Sequence, residues 1–306
     1  MKALSLLLMA LALITAAPRP AEAAPKAELV GSATDDRMFL HGLLYSADKP
    51  SRSVVINLPG GPGSFYSRQD MTPLAEALNR QGYNFLSFNT RSAGANGLFY
   101  TKFEDYLLDV AAAVKLAKSR GMTDIVLLGH SLGSVRAVYY LSQTKDPAVR
   151  ALVLTGVITS PYGEAQLRWN PTERAAYDAF LQTQRDAVKA GDGKKISGYP
   201  WAGGHLYEMS AATWVSIFGT PAESNASIVK FAKDVTVPVL IVHGTKDEGA
   251  LPANAPLVLA SLVNSSDKSL VWVDGANHMF MGTADKYGRI ISDWVVKTLP
   301  PKPAAP

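Results

Sequence analysis

The chain has 306 residues, no cysteine and a formal net charge of +4 at neutral pH. Without thiols there are no disulfides, no lipobox-type lipid anchor and no thiol nucleophile. The positive charges are scattered, with Lys194-Lys195 the densest pair beyond the N-terminus, so no nucleic-acid partner is expected.

Met1-Lys2 gives a positive start, Leu4 to Ile14 an apolar stretch and Ala21-Glu22-Ala23 a small-x-small cleavage site. This pattern predicts a secretory signal peptide over 1–23, with export to the periplasm or the medium. The stretch is shorter than the roughly 20 residues that span a bilayer, and no later segment is long and apolar enough, so no stable membrane anchor is expected. Ala27 to Ser46 reads as an antiparallel hairpin at a sheet edge. Apolar, β-branched runs then alternate with helical patterns. Ser53 to Leu58 is a strand, Met71 to Gln81 a helix ended by Gly82, and Asn84 to Asn89 a strand. A helix from Phe103 to Arg120 leads to the strand Ile125 to Leu128 and a helix from Ser134 to Ser142. Ala151 to Thr155, Val237 to Val242 and Leu270 to Val273 are further strands, and a helix from Lys286 to Thr298 is the last. Near-continuous apolar runs predict strands buried on both faces. The fold class is α/β: a mostly parallel central sheet with helices on both faces, built from residues 24–156 and 236–299.

Residues 157–235 break the alternation and are too long for a plain connection. They read as a helical cap insertion without a clear strand: helices at Thr172 to Ala190, Ser210 to Phe218 and Ser224 to Lys233, and a Gly/aromatic loop from Ser197 to His205. The Pro-rich tail 300–306 reads as disordered.

Gly129-His130-Ser131-Leu132-Gly133 stands between an apolar strand and a helix. A tight strand-to-helix turn strains the backbone at Ser131, and side chains at 129 and 133 would clash with the elbow. The turn lifts the hydroxyl clear of the sheet and aims the helix N-terminus at it. Ser131 is therefore the candidate nucleophile. A serine hydroxyl needs a neutral imidazole as base and a carboxylate to orient it. Of the five histidines, His130 should point away from Ser131, His41 lies in the hairpin, His205 in the cap, and His243 braces the loop after its strand. His278, in the loop after the last strand, remains as base, because loops at the carboxyl ends of parallel strands build ligand sites. Asp247 follows another strand and gives the chain order Ser, Asp, His. Glu248 is its competitor, and Asp274 is structural. The oxyanion donors are the Leu132 amide and one glycine amide of Leu58-Pro59-Gly60-Gly61-Pro62-Gly63, with Gly61 favoured over Gly60 and Gly63; Pro59 and Pro62 have no N–H to give.

Gly-His-Ser-Leu-Gly, the Pro-Gly-Gly-Pro-Gly loop, His243-Gly244-Thr245-Lys246-Asp247 and Ala276-Asn277-His278 together resemble the α/β-hydrolase superfamily over Ser53 to Thr298. The oxyanion loop looks most like the His-Gly-Gly-Pro-Gly loop of prolyl aminopeptidase-like hydrolases, whose second glycine donates to the oxyanion, which matches Gly61. That loop's histidine is Pro59 here, and Asn89-Thr90-Arg91-Ser92-Ala93-Gly94 only approximates that branch's Asp-x-Arg-Gly-x-Gly. The resemblance implies a serine hydrolase acting through an acyl-enzyme, with a small-molecule ester or amide as its partner and no cofactor. Carboxylic-ester hydrolysis comes first, a serine aminopeptidase second, and a non-catalytic binding protein third. Tyr162, Trp169, Tyr177, Phe180, Tyr199, Trp201, Tyr207, Trp214 and Phe218 either line an apolar pocket or pack the cap itself. Glu164, Glu173 and Glu208 read as solvated surface charges, the alternative being a site for a substrate amine.

Overall fold

The computed structural model describes residues 26–67, 71–93, 97–201 and 206–304; the expected signal peptide and His205 lie outside them. The first elements are β1 (Ala27–Ala33), β2 (Phe39–Tyr45), β3 (Ser53–Leu58), α1 (Met71–Arg80), β4 (Asn84–Phe88), α2 (Gly97–Tyr100) and α3 (Tyr106–Ser119). They are followed by β5 (Asp124–His130), α4 (Leu132–Thr144), β6 (Val149–Thr155), α5 (Pro161–Arg168) and α6 (Pro171–Lys189). A hairpin of β7 (Ile196–Pro200) and β8 (Leu206–Ser210) precedes α7 (Ala211–Phe218) and α8 (Ile228–Phe231). The last are β9 (Val239–Gly244), α9 (Asn254–Ser261), β10 (Lys268–Val273) and α10 (Ala284–Thr298).

Eight strands form one sheet in the order β1-β2-β4-β3-β5-β6-β9-β10. β1 and β2 are an antiparallel hairpin and β2 runs antiparallel to β4, while the remaining pairs are parallel. The sheet is thus mostly parallel with helices on both faces, the α/β fold expected from the alternation. Its central strands are apolar throughout because both faces are covered. Val54, Ile56 and Leu58 pack with Val110 and Val114 of α3 and Val135 and Val138 of α4. Val55, one residue out of phase, packs on the other face with Leu74 and Leu78 of α1 and Ile291 and Val295 of α10. The two-residue period of the strand distributes its side chains between the two layers. Parallel strands point their carboxyl ends to one edge, where the loops after β3, β5, β6, β9 and β10 meet.

Between β6 and β9, helix α6 starts where its capping signals place it. The Asn170 side chain accepts from the Thr172 and Glu173 amides, Glu173 accepts from the Asn170 amide, and Pro171 takes the first helical position. That leaves Glu173 as a cap. The segment is not wholly helical: β7 and β8 pair antiparallel, with Tyr199 opposite Tyr207, where only a loop was expected. Gly198 and Pro200 carry little strand propensity. The pairing is fixed instead by tertiary contacts, the Tyr199 ring on Phe180 at 4.6 Å and the Trp214 indole N–H donating to the Ser197 carbonyl at 3.0 Å. Helices α5 and α9 went unread in the sequence, and of the helix expected over Ser224 to Lys233 only Ile228–Phe231 is α-helical.

The tail differs from the disorder expected of it. Residues 300–304 run beside the start of β3: Arg52 N–H donates to the Lys302 carbonyl at 3.0 Å, Ala304 N–H to the Pro50 carbonyl at 3.1 Å, and Lys302 N–H to Ser53 Oγ at 3.0 Å. Lys302 also pairs with the buried Asp124 carboxylate at 3.2 Å. A proline-rich segment forms no helix, yet its carbonyls, and the amides between its prolines, remain available to an open strand start. Deleting residues 300–306 is expected to cost about 2 kcal/mol, since net hydrogen bonds are worth roughly 0.5–1.5 kcal/mol each. Urea unfolding of the full-length and truncated proteins measures this; equal midpoints would mean the tail is only laid on the surface.

Candidate active site

Ser131 stands at the junction of β5 and α4 with φ 53° and ψ −123°. A non-glycine residue held there stores on the order of 1–3 kcal/mol. The strain is held by Ser131 N–H donating to the Thr155 carbonyl at 2.8 Å, and by Ser134 Oγ donating to the Gly129 carbonyl at 2.7 Å. The flanking glycines are steric necessities. A Cβ at 129 would overlap the Gly133 carbonyl, and a Cβ at 133 would overlap the Leu58 carbonyl.

His278, in the loop after β10, directs Nδ1 at both Asp247 oxygens, at 2.9 and 3.0 Å. The Asp247 carboxylate is buried and also accepts from the Gly249 and Ala250 amides at 2.9 and 2.7 Å. That carboxylate accepts the hydrogen bond of an Nδ1–H tautomer, which leaves Nε2 as the lone-pair nitrogen. Gly249 and Gly156 bracket the His278 ring, leaving no room for a Cβ at 249 and little at 156. His130 does not simply turn away: its ring lies 4.6 Å from that of His278, and its Nδ1 is 3.1 Å from Thr155 Oγ1. It thus backs the imidazole from outside the cavity. His243 braces the acid's loop, its Nε2 3.0 Å from the Ala250 carbonyl and 3.5 Å from Asp247. Burial pushes its pKa below the ordinary histidine value, so it stays neutral and does not compete with His278 for the carboxylate. Asp274 accepts from Thr245 Oγ1 at 3.1 Å and serves the turn alone, while His41 packs against Phe39 in β2.

The loop after β3 is fixed from within. Gly63 N–H donates to the Gly60 carbonyl at 2.8 Å, which orients the peptide carrying the Gly61 N–H, and Gly61 itself adopts φ +41°. Arg136 Nη1 and Nη2 donate to the Pro59 and Gly61 carbonyls at 2.7 and 2.9 Å. Its guanidinium is buried and lies 3.8 Å over the Tyr106 ring. Ser92 Oγ adds a bond to the Gly61 carbonyl at 3.3 Å, and neighbouring Arg91 is held by Asp109 at 2.9 Å and Asp36 at 2.9 Å. The sequence reading missed Arg136. Its signal was a charge inside the apolar run Val135-Arg136-Ala137-Val138 of the elbow helix. The Leu132 amide, in the first turn of α4, has no intrahelical acceptor.

These groups meet at one cavity of about 290 Å³, whose walls include Gly61, Ser131, Leu132 and His278 from the sheet side. From the segment between β6 and β9 come Ile158, Pro161, Glu164, Trp201, Tyr207 and Phe218. The aromatic residues therefore divide. Trp201, Tyr207 and Phe218 face the cavity, whereas Tyr177 and Trp214 are fully buried among Trp169, Phe180 and Tyr199. Glu164 is not the surface charge expected of it. It is 1 % exposed, pairs with Arg168, and accepts from Asn254 Nδ2 and the Leu251 amide. Arg168 continues to the Glu248 carbonyl at 2.8 Å, so α5 is bolted to the loop that carries Asp247. Glu248, at the cavity rim, keeps an exposed side chain. An arrangement of serine, carboxylate-held imidazole and the Gly61 and Leu132 backbone around one cavity suits attack on a carbonyl carbon and stabilisation of the resulting oxyanion.

Replacing Arg136 with Met removes the guanidinium from the buried Pro59 carbonyl and leaves the part-buried Gly61 carbonyl to Ser92 Oγ; a drop of about 1–3 kcal/mol in unfolding free energy is expected, and a wild-type value would show that the loop holds itself. His243 gives a pH signature. The unfolded chain binds a proton near pH 6.5 that the folded chain refuses. Stability present above that pH is lost as pH falls through 6.5 towards the folded-state pKa. Urea midpoints should therefore decline on acidification, and His243→Gln should make that decline shallower; an unchanged slope would exclude His243 as its source.

Residues 50–285 match the family model described as serine aminopeptidase, S33. No curated protein matches the chain in sequence. Among solved structures the chain is similar to the esterase domain of a Rhodothermus marinus protein at 17 % identity and TM-score 0.62, covering 89 % of this chain and 98 % of that one. It is similar to Est1E from Butyrivibrio proteoclasticus with ferulic acid bound, at 17 % identity and TM-score 0.64, covering 88 % and 99 %. A Mycobacterium tuberculosis puromycin-hydrolyzing peptidase aligns at 14 % identity and TM-score 0.64, over 94 % of this chain and 42 % of that one. At these identities the likeness is one of fold. With the family model spanning most of its length, the chain belongs to the serine aminopeptidase S33 family of α/β hydrolases.

Proposed function

We propose that the protein is a serine hydrolase that cleaves carboxylic esters of small or hydrophobic substrates through an acyl-enzyme. The observation that carries this reading is the single cavity shared by Ser131, His278, Gly61 and Leu132, with Asp247 holding His278 by Nδ1. Ser131 Oγ attacks the ester carbonyl and its proton passes to His278 Nε2. The Gly61 and Leu132 amides stabilise the oxyanion. The C–O bond to the alcohol breaks as His278 returns the proton to the leaving oxygen. Water, deprotonated by His278, then attacks the acyl-enzyme, and the carboxylic acid departs as Ser131 recovers its proton.

Two features favour an ester over a peptide N-terminus. The cavity wall is largely aromatic and aliphatic. The carboxylate best buried in it, Glu164, is already neutralised by Arg168 and has its oxygens bonded, so it offers little to an ammonium group. The aminopeptidase reading keeps one supporting observation, the exposed Glu248 at the rim.

A panel of p-nitrophenyl esters and aminoacyl p-nitroanilides separates the two. Ser131→Ala and His278→Ala should each lose about 10⁴-fold or more in kcat, and Asp247→Asn should lose on the order of 10⁴-fold while remaining folded. Ester cleavage should exceed anilide cleavage. Preferential anilide cleavage that Glu248→Gln abolishes would replace the ester reading with the aminopeptidase, and wild-type turnover by Ser131→Ala would sink both.

A further inference from the structure

Tyr207 enters the cavity from β8 of the inserted hairpin, its ring packed against Phe218 at 6.1 Å and near-parallel to Trp201 at 6.5 Å. Its hydroxyl would stand 3.9 Å from a Cβ built on Gly61. The neighbouring Gly60 is packed against Ser131, a Cβ there lying 2.7 Å from the Ser131 Cβ. The phenol therefore sits on the oxyanion-loop side of the nucleophile, whereas His278 is bracketed by Gly156 and Gly249 from other loops. Among the described residues nothing donates to or accepts from the Tyr207 hydroxyl, although Tyr162 and Tyr177 in the same segment find partners in Asp178 and the Phe218 carbonyl. Burial raises its pKa above the ordinary tyrosine value, so the group is a proton donor throughout the neutral range. The half-buried phenol lines the cavity with its hydroxyl available to whatever binds there.

We infer that the Tyr207 hydroxyl is a third hydrogen-bond donor to the substrate's carbonyl oxygen, joining the Gly61 and Leu132 amides as negative charge develops there. No proton is transferred; the O–H donates to the oxyanion as a fixed dipole. The inserted segment thereby supplies chemistry as well as shape. This inference rests on the acyl-enzyme reading above.

The test is phosphonylation of Ser131 by a small alkyl fluorophosphonate, which needs no knowledge of the natural ester. The Ser131 oxygen bonds to phosphorus, fluoride leaves, the serine proton goes to His278, and the phosphoryl oxygen occupies the oxyanion position. Intact-mass and peptide mapping follow labelling in wild type, Tyr207→Phe and Ser131→Ala. Tyr207→Phe keeps the ring and removes an unpartnered hydroxyl, so its melting temperature should equal or exceed that of wild type. Its maximal labelling rate should fall about 10- to 100-fold, somewhat less than the loss typical of a fixed oxyanion donor, with the half-saturating concentration changed less than about twofold. The same split, lowered kcat at nearly constant KM, is expected with p-nitrophenyl butyrate. An unchanged labelling rate, or a change confined to half-saturation, would overturn the assignment while leaving Ser131 as nucleophile. Failure of wild-type Ser131 to label would overturn the nucleophile and the Tyr207 assignment together.

Discussion

Much of this molecule's chemistry hangs on how closely two stretches of backbone approach each other. At Gly133 the first turn of α4 abuts the Leu58 and Pro59 carbonyls at the end of β3, a distance that no side chain would permit. That approach brings the loop holding Gly61 alongside Ser131 and Leu132. One turn further along the same helix, Arg136 binds the carbonyls of that same loop. In the mechanism we propose, the helix therefore presents the serine, one amide and the clamp for the other amide from a single rigid body. Rigid placement of this kind is what lets weak dipoles act on a developing charge without first reorganising.

The electrostatics around Asp247 follow a similar economy. Its carboxylate is removed from water, yet two amides and the His278 ring satisfy it. The neighbouring His243 is kept neutral by its own burial, so the His278 ring faces no charged rival for that carboxylate. His130, its ring tilted against that of His278, limits the ring's freedom from the opposite side. The imidazole is held by contacts on several loops, each issuing from a different strand end.

The parts legible in the sequence were those encoded by local pattern. The strands Ser53–Leu58 and Asn84–Phe88 and helix Pro171–Lys189 announce themselves by apolar runs and caps. The turn at Ser131 stands out by the glycines that its tight packing requires, and the pairing of Asp247 with His278 by their places after two strand ends. What could not be read depends on partners distant in the chain. The hairpin of Ile196–Pro200 with Leu206–Ser210 has poor strand residues and is held by rings from α6 and α7. The tail gains order from an open strand start some 250 residues earlier and from the Asp124 carboxylate. Glu164 looks like any helical surface acid until Arg168, Leu251 and Asn254 close around it. Arg136 likewise acquires meaning only from a loop 75 residues upstream.

The bolt between α5 and the acid's loop has an implication for how the protein can diversify. Glu164 and Arg168 make that side of the insertion part of the scaffold, so altering it disturbs the aspartate as well. The opposite wall, contributed by Trp201 and Phe218, is held by ring packing within its own segment and varies on its own terms. Substrate range in this lineage can thus drift, or be evolved in the laboratory, by repainting one wall while the other stays welded to the machinery.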